Sequence, residues 1–396
     1  MSTAIIITIC SLLLIAYIFD LTSSKTKVPS VILLIILGWM VRQTSDALEI
    51  HIPALGSILP LLGTVGLILI VLEGALELEL NTTKGPVIIK SSLMAFIPMI
   101  VLNISLTLAF NYFGGFSYKD SLINAIPLSV ISSAIAIPSV RNFSAAEKEF
   151  VIYESSLSDI MGVLLFNFIV LNDTFGINTF GNFTLELILV LIISFVATVV
   201  LALLLSKIGH HVKFVPIILL VILLYAVSKV YHLPGLVFIL IFGLFMGNLD
   251  ELKRFRWIEK LQPEILEKEV HKFKEILGEG TFIVRALFFI VFGYLIETKE
   301  ILNTDTFFWS AGIVAAIFTF RAVTLKILSV PLTPLLYVSP RGLITILLFF
   351  SIPVNHSTSY VNKSLIIQII ALTAIIMMFG IMKAKDVKGS DRNKFV

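Results

Sequence analysis

The chain has 396 residues, of which 58% are hydrophobic and 14% are charged, and its formal net charge is +3. Soluble domains carry charges on about a quarter of their residues, because a surface in water requires them. This composition excludes a soluble enzyme, and it excludes a nucleic-acid-binding protein in spite of the slightly basic balance. A protein in contact with the lipid bilayer is the class that remains.

Thirteen apolar segments follow one another along the chain, each bounded by polar residues or by Pro and Gly. A membrane-spanning helix needs about 20 apolar residues, or fewer where short half-helices share the depth of the bilayer. The sequence therefore predicts an all-α polytopic membrane protein with about 13 transmembrane helices. These spans are predicted at residues 4–19, 28–41, 55–76, 87–111, 121–140, 151–171, 183–206, 214–230, 233–249, 278–296, 307–329, 336–353 and 362–382.

Lys and Arg residues are distributed unevenly among the loops. One set of alternate loops, together with the C-terminal tail, holds 19 of the 29 basic residues, and the other set holds 5. Cytoplasmic loops carry the excess of Lys and Arg. We therefore expect a plasma (inner) membrane protein with its N-terminus outside and its C-terminus in the cytoplasm. The polar residues 250–277 are predicted to form a solvated or interfacial amphipathic helix, and residues 384–396 a short cytoplasmic tail.

Two parts of the chain resemble each other weakly. The second span contains PSVILLIILG from Pro29, and the ninth contains PGLVFILIFG from Pro234, with Pro and Gly nine residues apart in both. Secondary transporters are often built from two copies of a helical unit in opposite membrane orientations. We therefore predict a first six-helix repeat over residues 1–171, a linker helix within residues 172–213 and an inverted second repeat over residues 214–383.

The fifth span of each predicted repeat contains residues that interrupt a helix. Span 5 includes SSAIAIPS with Pro138, and span 12 includes SPRG with Pro340 and Gly342. Proline removes a backbone donor and clashes with the preceding turn. Interrupted helices are tolerated in lipid only where they line a cavity enclosed by protein. The sequence thus predicts unwound helices 5 and 12 that cross near the membrane midplane, with ordinary proline kinks as the alternative.

Span 6 contains the acidic residue with the strongest functional signal. Asp159 shares a helix face with Ser155, has no basic neighbour in sequence and is surrounded by hydroxyl-bearing residues. Oxygen ligands suit a dehydrated monovalent cation, and a carboxylate in a poorly hydrated site can hold either a proton or a cation. Competition between the two ions for Asp159 is itself a mechanism of exchange. The alternative is a structural, hydrogen-bonding acid.

The other charges inside spans each need a partner or a task. We predict that Glu154 forms a structural ion pair with Arg341 on span 12. Lys90, Lys326 and Arg321 are predicted to extend toward the membrane surface. Glu73 and Arg285 are candidate accessory residues, with Arg285 inside span 10. Glu73 is predicted to lie at a mouth of the transport path, with a solvated helix end as the alternative.

Several segments together resemble a known family. ESSLSDIMGVLLF, which begins at Glu154, is similar to the Glu-Ser-x-x-Asn-Asp signature of the cation:proton antiporter superfamily, in its sodium/proton exchanger branch. VPSVILLIILG, LILIVLEGALELEL, LPGLVFILIFGLFMGN, RALFFIVFGYLIE and VSPRGLITILLFF resemble other blocks of that superfamily in the same order. SSAIAIPSV is more similar to the potassium-efflux relatives.

The resemblance implies a homodimer of thirteen-helix subunits in which a six-helix core moves like an elevator. It implies a monovalent cation at Asp159 with help from Ser155, and it implies the Glu154–Arg341 pair. Ser133 is the best match to a Thr that contributes to the family's site on the unwound fifth helix. Ser158 replaces the Asn of the signature and is predicted to contribute to the ion-binding and proton-carrying site with Asp159, Ser155 and Ser133. A single acid at this site implies electroneutral exchange.

The leading hypothesis is therefore a secondary active antiporter that exchanges Na+ or K+ for H+ and needs no cofactor. One alternative is a sodium-coupled organic-anion symporter on the same fold, for which Arg285 is the only basic candidate in the cavity. Another is a potassium efflux carrier. An enzyme is disfavoured because no span combines a nucleophile with a base, and no His or Cys pair has the spacing of a catalytic metal site.

Overall fold

Every regular element in the described part of the chain is helical. The computed structural model describes residues 2–26, 28–49, 55–78, 84–172, 177–207, 213–231, 233, 235–252 and 263–384. The helices are α1 (Ser2–Thr26), α2 (Ser30–Ala47), α3 (Leu59–Glu77), α4 (Gly85–Gly114), α5 (Tyr118–Ser129), α6 (Ser133–Ser139), α7 (Ala145–Leu171), α8 (Ile177–Lys207), α9 (Phe214–Val230), α10 (Gly235–Gly247), α11 (Leu249–Leu252), α12 (Pro263–Tyr294), α13 (Thr298–Ile301), α14 (Thr304–Ile327), α15 (Leu343–Phe350) and α16 (Lys363–Ala384).

The predicted apolar spans all coincide with helices. Among the described residues, ten segments are long and apolar enough to cross a membrane, and α5 and α6 together form one of them. Helices α9 and α10 are apolar but shorter, and α15 is an eight-residue helix in span 12. The architecture is therefore an all-helical membrane protein, as the sequence predicts, with about thirteen helices and ten candidate spans among the described residues.

Local sequence signals set several helix ends. The Ser117 hydroxyl accepts a hydrogen bond from Asp120 N at the start of α5 (3.1 Å). Ser144 and Glu147 form a capping box at the start of α7. Helix α4 is capped at its C-terminus by Gly115, whose φ of +66° lies in the left-handed region that glycine adopts without strain. Two of these ends belong to α4 and α7, the helices that come before and after span 5.

Helix α12 differs from the prediction for residues 250–277. From Pro263 onward this polar segment is continuous with span 10, so α12 runs 32 residues to Tyr294. The buried side chains of Leu266, Val270, Phe273 and Leu277 follow a spacing of three to four residues. One apolar face therefore packs against the protein along the polar half, and Gly278 does not break the helix because packing outweighs its low helix propensity.

One set of helices, here called the scaffold group, consists of α1, α2, α3, α8, α9, α10 and α12. Helix α12 packs against α2 and α3, and α10 packs against α3, α8 and α9. Close approach depends on glycine, because a Cβ added at Gly38 of α2 would lie 2.1 Å from the Ile290 carbonyl oxygen of α12. The α2–α12 contact thus resembles a small-residue helix interface in a membrane.

The second set, here called the site group, consists of α4, α5, α6, α7, α14, α15 and α16. Helix α4 packs against α5, α7 and α14, α14 packs against α16, and α15 packs against α5. Helix α3 of the scaffold group contacts α6, α7 and α15. The boundary between the two groups therefore runs along α3.

The order of the two groups along the chain is the same in both halves. Three spans of the scaffold group precede three spans of the site group, before and after α8. This order agrees with a duplicated six-helix unit, while the inverted orientation of the copies and their boundaries stay predictions. Pro234, most of residues 250–262 and the tail from residue 385 lie outside the described residues.

Candidate ion-binding site

Span 5 is interrupted at residues 130–132, between α5 and α6. Other chain segments satisfy the backbone donors that the break exposes. Ile131 N donates to Ser158 Oγ (3.0 Å), and Ser132 N donates to the Pro340 carbonyl oxygen (2.9 Å). The prediction that Pro138 causes the break is wrong, because Pro138 lies inside α6. The break occurs where span 6 and span 12 supply alternative hydrogen-bond partners.

Span 12 is interrupted at residues 338–342, which include Pro340 and Gly342 as predicted. Arg341 N donates to Thr373 Oγ1 (3.1 Å), which anchors the extended segment to α16. A Cβ added at Gly342 would lie 2.6 Å from Ile135 Cδ1 of α6. The two interruptions therefore touch, and we call this contact between residues 130–132 and 338–342 the crossing.

The Arg341 guanidinium stabilises the crossing through backbone groups. Its Nε donates to the Leu128 carbonyl oxygen in the last turn of α5 (2.7 Å), where helix carbonyls lose their own partners. Its Nη1 donates to the carbonyl oxygen and the hydroxyl of Ser339 (3.1 and 3.0 Å). Arg341 thus caps the C-terminus of one half-helix with a positive charge, which the helix dipole favours.

Asp159 lies beside the crossing with 1% of its surface exposed. Its Oδ2 accepts hydrogen bonds from both the hydroxyl and the backbone N of Ser133, the latter at 3.3 Å. Its Oδ1 is buried without a hydrogen-bond partner. Within the described residues no salt bridge reaches this carboxylate. A half-satisfied buried carboxylate is costly, and Oδ1 is the oxygen of Asp159 that lacks a partner.

The five serines around Asp159 differ from one another in their contacts. Ser133 contacts Asp159 as predicted. Ser155 Oγ donates a hydrogen bond to the Val151 carbonyl oxygen one turn back (2.7 Å). Ser158 Oγ accepts a hydrogen bond from Ile131 N in the interruption of span 5 (3.0 Å). The hydroxyls of Ser132 and Ser156 are buried and have no hydrogen-bond partner. Neither residue is among the predicted site residues.

The buried acid Glu154 pairs with Arg321 of α14 and not with Arg341. The contact is bidentate: Arg321 Nη1 reaches Oε1, and Nη2 donates to Oε2 at 2.9 Å. Arg321 is 1% exposed, so the prediction that it extends to the membrane surface is wrong. Its Nε donates to the Leu335 carbonyl oxygen (2.9 Å), which also holds the start of the interrupted span 12. The guanidinium satisfies its donors inside the protein.

The candidate accessory residues Glu73 and Arg285 lie near each other on α3 and α12, two helices that pack together. Arg285 Nη2 is 3.6 Å from Asp20 Oδ1, and Arg141 Nη1 is 3.0 Å from Asp20 Oδ2. Glu73 is partly buried and lies within electrostatic range of Arg285. Arg285 is thus engaged by acids of α1 and α3, and the structure does not bring it to Asp159 through any described contact.

Two interrupted helices that cross beside a buried carboxylate, in a polytopic helical bundle, define the class of secondary ion transporters. The family model for the transmembrane domain of sodium/hydrogen exchangers matches residues 10–384. The chain therefore belongs to the sodium/hydrogen exchanger family and is a transporter, not an enzyme.

Solved structures give the same fold. The chain is similar to the sodium proton antiporter MjNhaP1 from Methanocaldococcus jannaschii at pH 8, with 19% identity, a TM-score of 0.66 and coverage of 96% of this chain and 95% of that chain. An electron-microscopy structure of the same antiporter gives 17% identity, a TM-score of 0.68 and coverage of 99% of both chains. A search of curated proteins finds no match.

Proposed function

We propose that this protein is an antiporter that exchanges Na+ or K+ for H+, with Asp159 as the group that carries both ions. The observation that supports this most strongly is the buried Oδ1 of Asp159, which has no partner while Oδ2 is held by Ser133. A cation bound at Oδ1 neutralises the carboxylate, and so does a proton. Because one carboxylate accepts only one of them, release of the proton on one side is coupled to cation binding there.

Electroneutral exchange of one cation for one proton follows from the charges at the site. Glu154 is neutralised by Arg321 and takes no part in the exchange. Asp159 then binds one positive charge in either loaded form. Each loaded form of the site has the same net charge, so membrane voltage gives no advantage to either direction.

We further propose elevator-type alternating access, in which the site group moves against the scaffold group. The packing favours this because each group has its own dense helix contacts and α3 forms the boundary. Membrane orientation follows from the loop charges, with the N-terminus outside and the C-terminus in the cytoplasm of the plasma membrane. A homodimer stays an expectation from the family resemblance.

The two alternative functions make different demands on the site. A sodium-coupled symporter of organic anions requires a free basic group, but Asp20 and Glu73 compete for Arg285. A potassium efflux carrier has the same predicted site, and a series of alkali cations separates it from a sodium exchanger.

The test is proton flux in proteoliposomes challenged with Na+, K+ and Li+ in turn. Asp159→Asn should reduce cation-dependent proton movement to the level of protein-free vesicles, because an amide cannot bind a proton and a cation in alternation. Asp305→Asn, an exposed Asp at the start of α14, is the matched control and should exchange normally. Cation-dependent flux that persists in Asp159→Asn would exclude the proposal.

A further inference from the structure

Ser156 on α7 has a buried hydroxyl that does not follow the usual pattern of helical serines. Many serines in these helices donate to a carbonyl one turn back, as Ser155 does to Val151 (2.7 Å) and Ser91 does to Val87 (2.8 Å). Ser156 is 1% exposed, and its Oγ has no hydrogen-bond partner. Such a group costs free energy unless something binds it.

The position of Ser156 connects this hydroxyl to the ion site. Ser156 precedes Asp159 by three residues on α7, and side chains at this spacing are neighbours on one helix face. The unpartnered Oδ1 of Asp159 and the unpartnered Ser156 Oγ therefore belong to neighbouring side chains on α7. Other buried hydroxyls without partners, such as those of Ser194 and Thr198 on α8, have no free carboxylate in the same helix turn.

The Ser156 hydroxyl packs against a glycine of the scaffold group. Gly74 of α3 faces it, and a Cβ added there would lie 2.9 Å from Ser156 Oγ and 3.5 Å from Ile137 Cδ1. The Ser156 hydroxyl consequently lies at the boundary along which the two groups meet.

We propose that Ser156 Oγ is a ligand of the transported cation and helps to set which cation is carried. This inference rests on the proposed function, because it assigns a second oxygen to the ion at Asp159 Oδ1. Hard monovalent cations lose water only where protein oxygens replace it. When Asp159 is protonated, its O–H can donate to the same Ser156 oxygen, so the hydroxyl has a partner in both loaded forms.

The experiment measures exchange in proteoliposomes and thermal melting in detergent for Ser156→Ala. The Na+ concentration for half-maximal exchange should rise about tenfold, while the maximal rate changes by no more than about twofold. The order of Li+, Na+ and K+ should also change. Melting without cation should match the parent or improve, because an unsatisfied hydroxyl is removed, but stabilisation by added Na+ should weaken.

Ser91→Ala is the matched control, because Ser91 is fully buried on α4 and its hydroxyl is satisfied by helix carbonyls. It should leave the Na+ dependence and the cation order unchanged. The inference is overturned if Ser156→Ala keeps the parent's half-maximal Na+ concentration and Na+-induced stabilisation. It is also overturned if rate, affinity and melting fall together, which indicates a structural role. In either case Asp159→Asn still reports on the proposed function separately.

Discussion

Glu154 and Arg321 form a buried ion pair near the candidate ion site, and loss of either partner leaves the other as an unpaired buried charge. Both side chains are almost completely buried, and their contact is bidentate. Removing one member of such a pair costs about 3–5 kcal/mol, because the remaining charge stays buried without compensation. The pair therefore links α7 to α14 at a position five residues before Asp159 on α7.

We expect Arg321→Ala to lower the free energy of unfolding by about 3–5 kcal/mol and to lower the melting temperature in detergent. The double variant Glu154→Gln with Arg321→Met should recover most of this loss, because neither partner of the pair is left as an unpaired buried charge. Arg42→Ala removes partly exposed contacts to Asp46 and Glu297 and should cost about 1 kcal/mol or less. Equal melting of Arg321→Ala and Arg42→Ala would show that the buried pair does not stabilise the fold.

At the scale of single residues, the sequence indicates which buried polar residues to consider, but it does not indicate which residues they contact. Asp159 is predicted because an acid without a basic neighbour, near hydroxyls, is rare in an apolar chain, and Ser133 is predicted from the family resemblance. The structure places the two in hydrogen-bond contact, while their role in ion binding stays a prediction. Arg321 is assigned to the surface because its partner comes from α7, 167 positions away in the chain. Ser156 is missed because the direction of a serine hydroxyl depends on its rotamer and packing, which the sequence does not specify.

At the scale of helices, the crossing depends on how closely the two interruptions approach. Gly342 lies against α6, and an added Cβ would meet both Ile135 Cδ1 (2.6 Å) and Ser132 Oγ (2.9 Å). Span 12 is interrupted where proline and glycine predict it. Span 5 is interrupted instead where Ser158 and Pro340 accept the freed backbone donors, and no local residue signals those partners.

Gly342→Ala should therefore separate the two interruptions, slow exchange and destabilise the protein by about 1–3 kcal/mol, as other overpacked sites do. The check is the initial rate of cation-dependent proton flux together with melting in detergent. Gly312→Ala on α14 is the control, because no atom lies within 4 Å of the added Cβ. It should be neutral or slightly stabilising, since alanine favours a helix over glycine. Parent-like exchange and melting of Gly342→Ala would contradict a tight crossing.

At the scale of the whole molecule, the composition predicts the membrane class and the hydropathy predicts the spans, because lipid imposes both directly. The division into a scaffold group and a site group is not visible in an apolar sequence, since nearly every helix face is apolar. It depends on which faces pack together. At one end of the boundary, Lys148 of α7 lies 3.8 Å from Glu77 of α3, so this ion pair joins the two groups.

An elevator motion changes distances across this boundary but not within a group. Lys84, before α4, lies 2.9 Å from Glu149 of α7, so this ion pair stays within the site group. Lys148 and Glu149 are adjacent, which gives two cysteine pairs with similar chemistry and different locations. In a Cys10→Ser background, one variant carries Glu77→Cys with Lys148→Cys, and the other carries Lys84→Cys with Glu149→Cys.

A reducible thiol cross-linker of about 10 Å suits both pairs, because a direct disulfide requires Cα atoms within about 7 Å. Cross-linking residues 77 and 148 should stop exchange in proteoliposomes, and reduction of the linker should restore it, because the link holds one position of the site group. Cross-linking residues 84 and 149 should leave exchange close to that of the reduced protein. If the link between residues 77 and 148 forms completely and exchange continues, the two groups do not move against each other along α3 during transport.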